Sequence, residues 1–505
     1  MISIRFMLKP MAVLVIAASL FSTTHSRAAE SSPVKTLLQP SPSPLVTFRI
    51  LFKTGSAYDP AGQEGVAALT AAMLSEAGSQ RLAYDEILKR MYPLATSFDA
   101  QVDKEMTVFE GTTHVDNLQK YYQLIREMLL KPGFREDDFK RLRENALNYL
   151  KVTLREGNDE ELGKEELYNL IYHDHPYGHE NVGNVSSLEK LTLDDVKNFY
   201  RSNFTRANLV IGMAGGYPQT FPSEAEADFQ SLPTGELNVK KFEPPETKSG
   251  LHIQIIQRDT RSTAFSLGFP IDVKRGDPDY PALALIASYF GQHRSSNSHL
   301  YQRLREARGL NYGDYSYIEY FPRGMFQFQP DPNLARQLQI FQIWIRPVPP
   351  PQGLFTLRAT LYEYDKLVRD GLTQQDFEST REFLLKFVDV LLQTQSASLG
   401  YALDDQYYGI DDYRDYMKKG LRSLTLDKVN EALRKHLKSD SMQMVVVTRD
   451  AEAFKESILS GKPSPISYNS PKPDEIMAED KIIEKYRIPA KENAITIVPV
   501  DQVFQ

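Results

Sequence analysis

Three groups of side chains in this chain have the types and spacing that chemistry needs. The densest is Tyr172-His173-Asp174-His175-Pro176-Tyr177-Gly178-His179, three imidazoles and a carboxylate in one short run. Histidine is the commonest metal ligand, yet Pro176 and Gly178 make the run a turn, and no second cluster offers a fixed complementary set of donors. It reads as structural. The second group is the pair Arg305 and Tyr312. Arg305 falls in the last turn of a predicted helix, Gly309 is a natural C′ residue where the chain reverses, and Tyr312 opens the next strand, so both side chains can project from one edge. A guanidinium offers forked donors to a carbonyl, and a phenol can donate to the oxyanion that forms when water attacks that carbonyl. The plainer reading is a solvated charge at a helix end and one strand aromatic among 27 tyrosines.

The third group is defined by what it lacks. In the inverted H-x-x-E-H motif, two imidazoles at i and i+4 share one helix face and hold Zn²⁺, and the Glu beside the second deprotonates the metal-bound water. The helix Gly65-Val66-Ala67-Ala68-Leu69-Thr70-Ala71-Ala72-Met73-Leu74 carries Ala68, Ala71 and Ala72 at those positions. A methyl group has no lone pair, so this face can neither bind the metal nor act as a base. Taken alone, an alanine-rich run is simply a good helix former. Other chemistry finds no support: neither a G-x-S-x-G nucleophile elbow nor a phosphate loop occurs. Lone His114, His252, His293 and His299 are assigned no role, and Tyr407, Tyr408, Tyr413 and Tyr416 read as packing.

Composition sets the compartment and excludes partners. Arg5 and Lys9 precede the apolar run Met11–Phe21, and Ser26-Arg27-Ala28-Ala29 supplies small residues for cleavage after Ala28 or Ala29, so residues 1–29 read as a secretory signal peptide. No Cys occurs, so the fold must be held by its core alone. The formal net charge is −7, and losing Arg5, Lys9 and Arg27 with the leader takes it to about −10. An acidic exported chain without a basic patch is a poor partner for nucleic acid. No membrane span is expected in the mature chain, and a bacterial periplasm is its expected location.

The elements that must position these groups are duplicated. Leu191-Thr192-Leu193-Asp194-Asp195-Val196 recurs as Leu424-Thr425-Leu426-Asp427-Lys428-Val429, with Thr as N-cap of an amphipathic helix in both copies. Each copy leads into an apolar strand, Asn208–Ala214 and Met442–Val447. Each half also opens on an apolar strand, Leu45–Phe52 or Leu251–Ile256, followed by a small-residue helix, 65–76 or 281–291. The reading is a domain over 30–235, a polar Pro-containing linker over 236–250, a second domain over 251–460, and a tail over 461–505 packing along a domain surface.

With Tyr58–Ala67 leading into the alanine helix, His175-Pro176-Tyr177-Gly178, and Ser298-His299-Leu300-Tyr301-Gln302-Arg303-Leu304-Arg305-Glu306-Ala307-Arg308-Gly309-Leu310-Asn311-Tyr312, the chain resembles the pitrilysin/insulinase superfamily of zinc peptidases. The likeness is to its short bacterial members, which resemble mitochondrial processing peptidase subunits. It implies an α+β fold of two homologous domains, each a mostly antiparallel sheet with helices packed on one face, together forming a clam-like half of a peptidase chamber. It also places the third zinc ligand of the family at Tyr149, one step from Asn148, with Glu144 more than a turn away. The expectation is therefore no metal in this chain, and Zn²⁺ in a homologous partner subunit with an intact motif. In active members the half without zinc supplies an Arg and a Tyr seven positions apart to bind substrate and stabilise the transition state, which are Arg305 and Tyr312 here. The resemblance thus implies the non-zinc subunit of a heterodimeric peptidase acting on a peptide substrate. A non-catalytic peptide-binding or assembly protein of the same fold is the alternative.

Overall fold

Side-chain alternation along the strands decides where the layers go. In Leu45–Phe52 (β2), Phe48, Ile50 and Phe52 enter one core and Leu51 enters another on the opposite face. Apolar layers are therefore needed on both faces of the sheet. The computed structural model describes residues 34–324, 326–438 and 441–505; the expected signal peptide, 1–29, lies outside them.

Lys35–Pro40 (β1), β2, Asp99–Val102 (β3), Thr107–His114 (β4) and Leu209–Gly215 (β5) form a sheet in the order β1-β5-β2-β4-β3, parallel only between β1 and β5. Leu251–Gln257 (β6), Thr263–Ile271 (β7), Asp314–Tyr317 (β8), Gln339–Val348 (β9), Gln443–Thr448 (β10) and Ala490–Pro499 (β11) form the other, in the order β11-β6-β10-β7-β9-β8. Without β11 the second order repeats the first strand for strand. The chain is thus α+β, with two sheets of one topology. The opening strands, however, pair differently from the sequence reading: Leu45–Phe52 is the counterpart of β7, and β6 answers to β1. The Lys and the Pro that flank its two leucines hid β1, which is an edge strand and tolerates both.

Each half keeps its own helices on one face of its sheet and lends one to the other half. Helix Asp159–Ile171 packs on β7, β9 and β10, and helix Gln395–Tyr408 packs on β1, β2 and β5. Both begin at polar N-caps: the Asn158 side chain accepts from the Glu160 and Glu161 amides, and Thr394 accepts from Ala397. Leu403 meets Leu51, Val108 and Val210 on the far face of the first sheet. Val445, Val447 and Ile340 of the second sheet join the first half's core. The repeated N-caps also form, Thr192 with Asp195 as a full capping box and Thr425 with the Lys428 amide.

In the connection from β8 to β9, residues 318–324 and 326–338 run between the halves and are tied down by buried arginines. Arg336 pairs with Asp103, Arg275 with Glu319 at 2.8 Å, and Arg49 donates to Asn333 at 2.9 Å. The tail does more than lie on a surface. It adds β11 to the second sheet and the helix Asp474–Ile483, then buries Val503 and Phe504 in the first half's core. There the Val185 and Ser186 amides donate to the carbonyls of Phe504 and Gln505. No described helix is long and apolar enough to cross a membrane.

Gly400 lets helix Gln395–Tyr408 seat against this connecting segment: a Cβ there would stand 2.5 Å from Pro332 Cγ and 2.6 Å from its Cβ. A rigid ring cannot yield as a flexible side chain would. Gly400→Ala should therefore destabilise the fold by about 1–3 kcal/mol and lower the thermal unfolding midpoint; an unchanged midpoint would show that helix and segment shift apart freely.

Candidate functional site

The alanine helix, Val66–Ser75, starts at Gly65 with φ 100°, where a Cβ would meet the Val182 carbonyl at 2.4 Å. The buried Asp59 carboxylate accepts from the Gly65 and Ala67 amides at 2.6 and 2.9 Å, and His179 Nε2 lies 3.3 Å from it. The Tyr58–Ala67 string is therefore a cap for this helix, and the histidine run contributes the residue behind the cap. Its other imidazoles go elsewhere. His175 accepts from the Tyr177 amide and packs against Tyr172, Tyr177 and Phe242, while His173 pairs with Asp174 in solvent.

Ala71 is buried, and Ala68 and Ala72 are partly exposed. Tyr149 is also half-buried and opens a π-helical turn, Tyr149–Leu154, at the end of helix Glu136–Asn148. It lines a cavity of about 330 Å³ between the edge strand β3, the carboxylates Glu161, Glu165 and Glu180, and Tyr320 and Arg323 of the connecting segment. Burial, reinforced by Glu165, pushes the Glu180 carboxyl up to about 8. The sequence reading missed these carboxylates. Glu161 and Glu165 are spaced i and i+4 on one helix, a signal that was present, but only the exchange of that helix between halves turns them into a cavity wall. The residues present do not fit a zinc ion. The positions expected for the motif, 68, 71 and 72, carry methyl groups, the one expected for the third ligand, Tyr149, carries a phenol, and among the described residues no group of His, Asp and Glu converges as a metal site.

Arg305 and Tyr312 are brought together. Arg305 lies on a π-helical turn, Tyr301–Glu306, rather than an α-helical one. Gly309 has φ 69° and reverses the chain as expected. Tyr312 stands two residues before β8, in the turn, and is 75% exposed. Arg305 Nη1 donates to the Tyr312 carbonyl at 2.9 Å. Its guanidinium carbon sits 5.6 Å from the centre of the Tyr312 ring and 4.6 Å from that of Tyr301. The edge therefore presents a cation and a phenol, side by side, to solvent.

This turn is fixed from beneath. Asn311 donates to Asp314 Oδ1 at 2.6 Å and to the Arg346 carbonyl at 3.1 Å. Arg346 lies 3.2 Å from Glu160, one residue before Glu161 of the cavity wall. Asp314 is fully buried, its Oδ2 has no partner, and burial raises its carboxyl to about 8. A carboxyl raised in the folded state costs nothing while both states are protonated. It subtracts stability as pH rises from the unfolded value of 3.8 to the folded value of about 8. Asp314→Asn should remove that slope, so the variant gains on the natural chain across this range; parallel unfolding midpoints from pH 4 to pH 8 would contradict the assignment.

Comparison with known proteins places these features. Residues 35–183 match the family described as Insulinase (Peptidase family M16), and residues 190–384 match the Peptidase M16 inactive domain. An "Uncharacterized zinc protease" of Rickettsia bellii (strain RML369-C) is 27% identical over 287 residues, 56% of this chain; the chain spans 66% of that relative, just under two thirds of its length. The crystal structure of a peptidase M16 inactive domain from Pseudomonas fluorescens superposes with a TM-score of 0.70 at 25% identity, covering 82% of this chain and 95% of that one. The periplasmic protease PqqL from Escherichia coli superposes with a TM-score of 0.65 at 13% identity, covering 90% of this chain and 49% of PqqL.

Proposed function

We propose, since this chain belongs to the insulinase family of peptidases (peptidase M16), that it is the non-zinc subunit of a two-chain periplasmic metallopeptidase. The observation that carries this reading is the contrast between its two edges. The motif helix is capped and seated but has only methyl groups at the expected metal positions, whereas a half-buried Arg305 stands beside an exposed Tyr312. A homologous partner with an intact H-x-x-E-H would supply Zn²⁺, the water and the base. In this chain Arg305 would hold a substrate carbonyl by its fork of donors, and the Tyr312 hydroxyl would donate to the oxyanion as water adds. An extended peptide would add to the unpaired edge of β3, where the cavity accepts a side chain and the backbone grip is indifferent to sequence.

Two likenesses support the assembly. This chain has the extent of half of PqqL, so a second homologous chain would complete a comparable body. PqqL is a periplasmic protease, and a periplasmic location for this chain agrees with the charged, apolar and small-residue regions of residues 1–29. The second reading, a non-catalytic peptide-binding or assembly protein, is favoured by the same methyl-lined helix.

Peptidase activity decides between them. The chain with a zinc-bearing homologue from the same organism should cleave a fluorogenic peptide, while the chain alone should be inert and metal-free. In the mixture Tyr312→Phe should slow cleavage by about 10²-fold, the scale of losing one oxyanion donor, and Arg305→Ala should also slow it. Unchanged rates in both variants would remove the catalytic assignment, and an inert mixture that still binds peptide would establish the second reading.

A further inference from the structure

Three arginines crowd the turn that displays Tyr312, and the structure treats them unequally. Arg303 Nε donates to Glu363 at 3.0 Å, and its Nη2 donates to Glu479. Arg308 has a fully buried side chain. Its Nε donates to Asp480 at 2.8 Å, its Nη2 to Glu479 at 2.7 Å, and its Nη1 to the Arg303 carbonyl at 2.8 Å. Arg305, between them, meets no carboxylate among the described residues and spends one N–H on the Tyr312 carbonyl.

The acids come from two places. Glu363 is fully buried and held ionised by His299 and Arg303, its carboxyl lying at about 2. Glu479 and Asp480 belong to the tail helix Asp474–Ile483, where Asp480 also accepts from the Tyr468 hydroxyl at 2.6 Å and Glu479 lies 3.4 Å from Lys366. The turn they brace is π-helical: the Ala307 amide reaches back to the Gln302 carbonyl. A π turn is rarely stable without outside help, because its wide ring leaves neighbouring carbonyls poorly aligned. Here the Arg303 carbonyl is taken by Arg308, whose charge is in turn held by the tail acids.

We propose that Asp480 and Glu479 are positioning residues: through Arg308 they hold the π turn in the register that leaves Arg305 uncommitted beside Tyr312. This rests on the reading that Arg305 and Tyr312 act on a peptide, and it gives the tail a part in that action. If the acids are removed, Arg308 loses its carboxylates, the Arg303 carbonyl loses its donor, and the turn is free to relax toward α-helical register. Relaxation rotates Arg305 about the helix axis and away from the edge.

The test uses the full mature chain with Asp480→Asn, Glu479→Gln and Asp480→Glu. Amide hydrogen exchange, read by mass spectrometry on fragments covering 301–312, should quicken by about tenfold in the first two variants while β6 and β10 keep their protection. Asp480→Glu should restore slow exchange. In the mixture with a zinc-bearing homologue, Asp480→Asn should lower kcat by about tenfold with KM nearly unchanged, and should add nothing in an Arg305→Ala background. Additive effects, or unchanged exchange over 301–312, would overturn the brace. Unchanged cleavage by Arg305→Ala alone would instead overturn the functional reading, and the exchange measurement distinguishes the two failures.

Discussion

The buried pairing of Arg336 with Asp103 is the constraint on which the relation of the two halves depends. Both side chains are almost fully buried, with the guanidinium 3.8 Å over the Tyr320 ring and flanked by Tyr168 and Tyr177. Such a pair adds little net stability, because desolvation offsets most of the attraction. Stranding one partner, however, costs about 3–5 kcal/mol. Asp103 directly follows β3, and Arg336 lies three residues before β9 in the segment that crosses from β8. Satisfying one charge therefore fixes the path of that segment. Next to it, Glu105 accepts from Tyr177, Tyr407 and Gln337, which brings one tyrosine from each half onto the same carboxylate.

Helix exchange follows from the same economy of buried charge. Helix Asp159–Ile171 buries Glu160, Glu161, Lys164 and Glu165 in a layer that would ordinarily be apolar. Lys164 lies against Glu161 and 3.6 Å over the ring of Trp344, the only tryptophan, and Tyr320 donates to Glu165 at 2.8 Å. These charges are tolerable because each has a partner: Lys164 and Glu161 pair within the helix, while Arg346 answers Glu160 and Tyr320 answers Glu165 from the other half. The arrangement disfavours sliding or opening of the halves, since any separation would expose apolar faces and unpair ions together.

Against this rigid background the two chemical edges differ in what their residues can give. Helix Val66–Ser75 keeps its cap, its glycine entry and its buried contacts, so with alanine at 68, 71 and 72 it needs no metal to fold. Alanine is the best helix former and removes the like-charge and desolvation costs that an empty His/Glu face would carry. The Arg305 edge has the opposite character. Two neighbouring guanidiniums are consumed by carboxylates, which discharges the turn locally and leaves one cation available.

Much of the duplication was legible in the sequence, because N-caps, amphipathic helices and apolar strands are local signals. The Thr192 and Thr425 caps, β5 and β10, and the helices at 66–75 and 280–291 all fall where residue patterns place them. The matching of opening strands was not legible, since β1 is a short edge strand whose polar ends give no alternation. By itself the sequence determined that the motif helix carries no metal donor and that Arg305 and Tyr312 flank a glycine reversal, because residue identity and spacing settle what a side chain can donate. Only the tertiary structure decided which helix covers which sheet, that Glu161, Glu165 and Glu180 share one cavity with Tyr149, and that the tail acids answer Arg308. Those outcomes depend on contacts between residues far apart in the chain, Arg308 with Asp480 and Glu165 with Tyr320 among them, and no local pattern encodes the partner.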